Sequence, residues 1–119
     1  MLRLHAVTWN VNGQPAGENT SCIFEDASDL YVVSLQETVA LNVGTVVFCD
    51  NTAASTTWAA HIQLELDGIH GVGAFVQLLS NHLVGVTLLL FVRTELQQHV
   101  HGLESATVGI PAHHQRSFH

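Results

Sequence analysis

The sequence contains very little charge. Only 11% of its 119 residues are charged, against about 25% in an ordinary globular domain, and there is no lysine. Three basic and ten acidic residues give a net charge of −7. Nucleic acid is bound through clusters of Lys and Arg, and anionic lipid through polybasic patches. We therefore predict no nucleic-acid partner and no electrostatic attachment to a membrane.

The sequence has only two cysteines, and its first residues do not resemble a signal peptide. Two cysteines in 119 residues do not make a disulfide framework. The first residues lack the long apolar core and the small-residue cleavage site of a signal peptide. We therefore expect a reducing, cytoplasmic location, and a peripheral association with membranes stays open.

One long stretch without charge, residues 68–92, matches the thickness of a bilayer. Polar residues interrupt its first part, and the continuous apolar run, Leu83–Val92, has only ten residues. Ten residues suit a buried strand better than a membrane span, so we predict no integral membrane segment. A small protein anchored through this stretch is the weaker alternative.

The apolar fraction of 47% and the length predict one globular domain. Continuous apolar runs predict strands that are buried on both faces at Leu30–Leu35 and Leu83–Val92. Further strands are predicted at Leu4–Val11 and Phe75–Leu79, with a break at Ser80–Asn81. Shorter segments are a helical turn at Ile23–Phe24, a strand or loop at Val46–Phe48, a loop or short helix at Glu95–His101 and a strand at Ala106–Val108.

One helix is expected over Ser55–Leu66. Trp58, Ile62 and Leu66 recur at intervals of four residues, which places them on one helical face as core residues. Thr52 or Ser55 is expected to cap its start, and Gly68 to close its end. Strands with one intervening helix predict an α/β or α+β fold with a covered sheet.

Polar side chains end two of the predicted strands. Asn10 lies near the end of the first strand and Asn12 follows it, and Glu37 comes two residues after Leu35. Amides orient phosphate oxygens or water, and one or two carboxylates hold Mg²⁺. Taken alone, Asn12–Gly13 is better explained as a simple turn, and Glu37 as a solvated residue that ends the strand.

Taken together, the two motifs are recognisable. Thr8–Gln14 (TWNVNGQ) and Asp29–Glu37 (DLYVVSLQE) resemble the inositol polyphosphate 5-phosphatases, most closely the plant-type branch. The resemblance continues over nearly all of Leu4–Gly109, through Leu41–Gly44, Asp50–Asn51, Trp58 and Leu83–Arg93.

This resemblance implies a fold of the endonuclease/exonuclease/phosphatase (DNase I-like) type. That fold is a four-layer α/β sandwich, with two mixed sheets face to face and helices outside. It also implies Mg²⁺-dependent hydrolysis of the 5-phosphate of inositol polyphosphates or phosphoinositides, which is phosphatidylinositol dephosphorylation. By motif, Glu37 matches the family's metal-binding glutamate, and Asn12 its asparagine that contacts the phosphate or metal. Asn10 is the neighbouring candidate site residue.

The sequence also departs from the family. Residues 1–109 resemble the N-terminal part of the catalytic domain, and we expect residues 110–119 to be an unrelated tail. The family continues with a glycine–lysine loop and with Asn-Ser-His, Gly-Asp-x-Asn and Ser-Asp-His motifs that are not in this sequence. Those motifs carry its general base and its phosphate-binding histidine. We therefore expect only part of an active site.

Two substitutions fall inside the matched region. Ser34 stands where the family usually has glycine, and Asn81–His82 where a Lys-Gln pair is common, which removes a positive charge. The alternative function is a catalytically inactive fragment that acts as an interaction protein and self-associates through exposed sheet edges.

Overall fold

The computed structural model of the chain describes residues 1–13, 16, 21–26, 28–38, 52–83 and 85–106. These residues form a four-stranded sheet, one long helix and two short 3₁₀ helices. The strands are β1 (Leu4–Asn10), β2 (Leu30–Gln36), β3 (Phe75–Leu83) and β4 (Val86–Arg93), the helix is α1 (Thr52–His70), and the 3₁₀ helices span Ser21–Phe24 and Thr94–His99.

The sheet has the strand order β1-β2-β4-β3. The strands β1 and β2 are parallel, and β4 is antiparallel to both β2 and β3. The sheet is therefore mixed, with a helix beside it, as the predicted α/β class requires. Because β1 and β2 are parallel, the residues that follow them lie at the same end of the sheet.

The core lies between α1 and one face of the sheet. Trp58, Ile62 and Leu66 of α1 are buried there, which confirms the helical periodicity. They pack with alternate residues of the two central strands, which are Tyr31, Val33 and Leu35 of β2 and Leu89 and Phe91 of β4. The described residues thus form two layers, a helix on a mixed sheet, and this is a part of the predicted sandwich.

The prediction that Leu30–Leu35 is buried on both faces was wrong. Burial alternates along β2, where Leu30, Val32 and Ser34 are only half-buried. The run is continuously apolar because both faces carry aliphatic side chains, yet only one of them packs on α1.

The predicted bounds of the helix were too narrow. Gly68 lies inside α1, and the helix ends where Gly71 takes a φ of +103° and donates its N–H to the Asp67 carbonyl at 2.9 Å. Glycine is the usual residue at such a left-handed helix end. Ser55 is buried within the helix, with its hydroxyl 2.7 Å from that of Thr87 on β4.

The predicted break at Ser80–Asn81 was also wrong. The strand β3 continues to Leu83, because Ser80 and Asn81 pair with Leu89 and Leu88 of β4. These ladder bonds outweigh the local turn preference of Ser and Asn. The chain turns later, where Gly85 has a φ of +78°, and β4 begins at Val86.

The predictions for the short segments are confirmed only in part. The 3₁₀ helices confirm the helical turn at Ile23–Phe24 and a short helix within Glu95–His101. Ala106 is not in a strand, and Val46–Phe48, Thr107, Val108 and residues 110–119 lie outside the described residues. In the part of the chain that the structure describes, no helix is long and apolar enough to cross a bilayer.

Candidate functional site

The three predicted site residues lie together at the carboxyl ends of β1 and β2. Asn10 is the last residue of β1, and Glu37 directly follows β2. The Asn10 side-chain amide donates a hydrogen bond from Nδ2 to Glu37 Oε2. A contact between residues 27 positions apart therefore joins the two motifs.

Backbone hydrogen bonds hold the loop after β1 against the end of β2. Val11 donates its N–H to the Gln36 carbonyl at 2.9 Å, and Gly13 donates to the Glu37 carbonyl at 2.7 Å. The N–H of Asn12 donates to Oδ1 of Asn10 at 2.8 Å, which closes an Asx turn. Asn10 therefore uses both ends of its side-chain amide, one on Asn12 and one on Glu37.

Two of these residues have left-handed backbones. Asn12 and Glu37 both have a φ of +55°, and they are the non-glycine residues with positive φ among those described. Asparagine tolerates this region, whereas for glutamate it costs about 1 kcal/mol. Such strain persists where surrounding structure imposes it, and it clusters at functional sites.

A hydrogen bond between Thr38 and Gly85 fixes the backbone directly after Glu37. Thr38 is buried, and its N–H donates to the Gly85 carbonyl at 3.1 Å, in the turn before β4. This support was not predicted from the sequence. The signal that could have found it is the glycine before β4, because in a mixed sheet that turn lies beside the end of β2.

Two tryptophans pack against each other in the core beside this end of the sheet. The rings of Trp9 and Trp58 meet edge to face with centroids 6.4 Å apart, and Trp58 is 1% exposed. Trp9 directly precedes Asn10, so its packing fixes the end of β1. The burial of Trp58 confirms its prediction as a core residue.

The chemistry of these side chains fits a hard cation. Glu37 offers a carboxylate and the two asparagines offer amide oxygens, and Mg²⁺ takes one or two carboxylates together with water and substrate phosphate. The described residues contain no group of three or more His, Cys, Asp or Glu placed to hold a metal. Water and a bound phosphate would therefore have to supply further ligands.

A family model decides the classification. The model of endonuclease/exonuclease/phosphatase family 2 matches residues 7–116. The chain belongs to this family. The match includes Asn10, Asn12 and Glu37, while the domain boundary at residue 109 stays a prediction.

Solved structures agree with the family's fold. The inositol polyphosphate 5-phosphatase domain of SPsynaptojanin, in complex with inositol (1,4)-bisphosphate and calcium, matches with a TM-score of 0.69 and 26% identity. The match covers 82% of this chain and 29% of that domain. A curated-protein search gave no match.

Two structures of the Cimex nitrophorin with nitric oxide match at TM-scores of 0.54 and 0.51, with 17% and 14% identity. Each match covers 84% of this chain and 32% of that protein. At this identity, they support the fold alone. This chain spans about a third of the length of the solved structures that it matches.

Proposed function

We propose that Asn10, Asn12 and Glu37 form the metal-binding part of a Mg²⁺-dependent phosphatase site that acts on the 5-phosphate of inositol polyphosphates or phosphoinositides. The observation that carries this proposal is the hydrogen bond from Asn10 to Glu37 in a member of this family. The bond joins an acid to an amide at the end of a sheet, where phosphate and cation sites are commonly built, and the backbone N–H of Asn12 donates to the same amide.

Each side chain has a distinct role in this proposal. Glu37 binds the cation through its carboxylate, and Asn12 orients a phosphate oxygen or a metal-bound water. Asn10 positions Glu37, because a hydrogen bond to one carboxylate oxygen restricts the rotation of the group. When bound, Mg²⁺ would stabilise charge on the phosphoryl oxygens and activate water as a nucleophile.

The substrate class rests on the synaptojanin domain. Its ligand, inositol (1,4)-bisphosphate, has no phosphate at position 5, as expected of a product of 5-phosphate removal. Its calcium ion, like Mg²⁺, is a hard cation that prefers oxygen ligands. Both points support a divalent-metal phosphatase site here.

The chain by itself is expected to be inactive. The sequence lacks the family motifs that carry the general base and the phosphate-binding histidine, and groups that act as a unit do not give partial rates. Phosphate release should stay below detection and equal to that of a Glu37→Ala control. Release above the control would contradict this expectation.

Millimolar Mg²⁺ is likewise expected to leave the unfolding temperature unchanged, because one carboxylate holds the ion weakly. A stabilisation that Glu37→Gln abolishes would show a fuller site than we infer.

A chimera tests the proposed function directly. Residues 7–38 of this chain would replace the matching segment of the synaptojanin phosphatase domain, and phosphate release from inositol 1,4,5-trisphosphate would be measured. We expect Mg²⁺-dependent activity that Glu37→Gln reduces by about 100-fold or more, while the control Glu25→Gln, at an exposed position of the same segment, keeps it. A folded chimera that is inactive, or is active without Glu37, would contradict the proposal.

A further inference from the structure

The side chain of Gln36 is tied to Ser34, which lies two residues earlier on the same face of β2. The amide nitrogen of Gln36, Nε2, donates to the Ser34 hydroxyl at 2.9 Å and to the Ser34 carbonyl at 3.2 Å. Both N–H groups of the amide are therefore used on one residue. The hydroxyl is a feature of this chain, because Ser34 stands where the family that it resembles usually has glycine.

These two hydrogen bonds decide which end of the Gln36 amide is left over. A backbone carbonyl can only accept a hydrogen bond, so the nitrogen of the amide, and not its oxygen, must face Ser34. The remaining group of the side chain is then the oxygen Oε1, which is an acceptor. None of the residues that the structure describes donates a hydrogen bond to it.

Gln36 lies at the end of the sheet that carries the candidate site. It is the last residue of β2 and directly precedes Glu37, and its partner in the parallel pairing with β1 is Asn10. Paired residues of neighbouring strands have their side chains on the same face, and the strands lie about 4.8 Å apart. The side chain of Gln36 therefore starts beside that of Asn10, which donates to Glu37.

The acceptors of the three site residues are already partly occupied. Asn10 accepts the backbone N–H of Asn12 through Oδ1, and Glu37 accepts the Asn10 amide through Oε2. A Mg²⁺ ion that is held by one carboxylate keeps several waters, and these waters need acceptors for their protons. Groups that hydrogen-bond to the ligands of a metal fix the orientation of those ligands and raise the affinity for the ion.

We propose that Gln36 Oε1 accepts a hydrogen bond from a water bound to the cation at Glu37, and that Ser34 orients the amide for this contact. Gln36 acts on the ion through water and is a positioning residue. This inference rests on the proposed metal site and adds Gln36 and Ser34 to it.

A purely structural role of the pair has a different consequence. If the hydrogen bonds to Ser34 serve only to hold the end of β2, every change at Gln36 that removes them disturbs the site equally. If Oε1 is the group that matters, a side chain that keeps an oxygen but cannot donate retains the function. Gln36→Glu provides this case, because a carboxylate only accepts hydrogen bonds.

The test is a Mn²⁺ titration of the full 119-residue chain, in which broadening of the Asn12 and Gly13 amide NMR signals measures binding of the paramagnetic ion. Carboxylate, carbonyl and water oxygens suit both Mn²⁺ and Mg²⁺. We expect Gln36→Leu, which removes the oxygen, to weaken binding about tenfold. Ser34→Ala, which removes one of the two acceptors, should weaken it by a smaller factor, and Gln36→Glu should bind at least as tightly as the wild type.

The matched control is Gln77→Leu, the same change at an exposed glutamine on β3, which should leave binding unchanged. Amide spectra without metal check that each variant folds. Wild-type binding in Gln36→Leu, or equally weak binding in Gln36→Leu and Gln36→Glu, would overturn this inference while the metal site stands.

Unchanged binding in Ser34→Ala would overturn the role of the hydroxyl. A wild-type chain whose Asn12 and Gly13 signals do not broaden would overturn the proposed metal site, and this inference with it.

Discussion

The two ends of the sheet use an acidic residue in different ways. At the site end, Glu37 accepts a hydrogen bond from a neutral amide, and the neighbouring asparagines are exposed. At the other end, Asp29 accepts hydrogen bonds from the Arg3 N–H at 2.8 Å and from Arg93 Nε at 3.1 Å. We call Asp29, Arg3 and Arg93 the clamp. In the clamp, the Asp29 carboxylate accepts hydrogen bonds from a cationic side chain and from a backbone N–H. At the site end, none of the described residues places a cationic side chain beside Glu37.

Backbone conformation separates the two ends as well. Near the clamp, the left-handed residues are glycines, Gly71 and Gly73, in the turn between α1 and β3. At the site end, Asn12 and Glu37 take the same conformation at greater cost. A left-handed position that is not glycine indicates that the side chain is needed there. We therefore propose a structural role for the clamp and a chemical role for the site.

The largest expected effect is the loss of the clamp. Asp29→Asn removes the charge that holds Arg93, whose guanidinium carbon also lies 5.4 Å from the centroid of the Phe75 ring. We expect a clear fall in unfolding temperature. Glu37→Gln should change it little, because glutamine still accepts the hydrogen bond from Asn10. Thermal unfolding of both variants checks this, and an equal fall in both would remove the distinction between the ends.

The clamp also predicts an acid-dependent stability. The backbone N–H of Arg3 lowers the pKa of Asp29 below its usual 3.8, and the Arg93 guanidinium beside it adds to this effect. A pKa that is lower in the folded state stabilises the fold above the unfolded value, and this contribution is lost as pH falls through the folded value. The advantage of the wild type over Asp29→Asn should therefore shrink below pH 3.8. A constant difference in unfolding temperature down to the most acidic pH would contradict this.

Glycines test the turn beside the clamp. Gly71→Ala should destabilise by about 1 kcal/mol, because alanine is strained at a φ of +103°. Gly68→Ala should instead stabilise by about 0.5–1 kcal/mol, because Gly68 is helical and an added Cβ meets no atom within 4 Å. Denaturant unfolding measures both. A loss of stability in Gly68→Ala together with a gain in Gly71→Ala would instead indicate that the helix ends at Gly68.

The smallest expected effect is that of Asn12→Gly. Asn12→Ala should cost about 1 kcal/mol because of its left-handed backbone, whereas Asn12→Gly should be close to neutral. The same denaturant series measures both variants. A loss of stability in Asn12→Gly equal to that in Asn12→Ala would show that the side chain has a structural role.

Local sequence predicted the elements better than their ends. The spacing of Trp58, Ile62 and Leu66 is sufficient to place α1, because the helical period is local. The ends of α1 and β3 depend on tertiary contacts, such as the pairing of Ser80 with Leu89. No local pattern reports those contacts. The predicted break at Ser80–Asn81 was wrong for that reason.

The site was predictable only in part. The parallel pairing of β1 with β2 follows from no single segment, yet it brings Asn10 to Glu37. Motif resemblance supplied these residues without that geometry. The left-handed backbone of Glu37 was not predictable, because glutamate has no preference for it.

The most direct test of the assigned roles is a Mn²⁺ titration followed by backbone amide NMR, with Mn²⁺ as a paramagnetic substitute for Mg²⁺. Even weak binding broadens signals near the ion, so an unchanged unfolding temperature does not hide it. We predict that the signals of Asn10, Asn12, Gly13 and Glu37 broaden first, and that Glu37→Gln abolishes this while Asp29→Asn does not. Broadening centred on Asp29, or broadening at the site that survives Glu37→Gln, would contradict the assignment of chemistry to one end of the sheet and structure to the other.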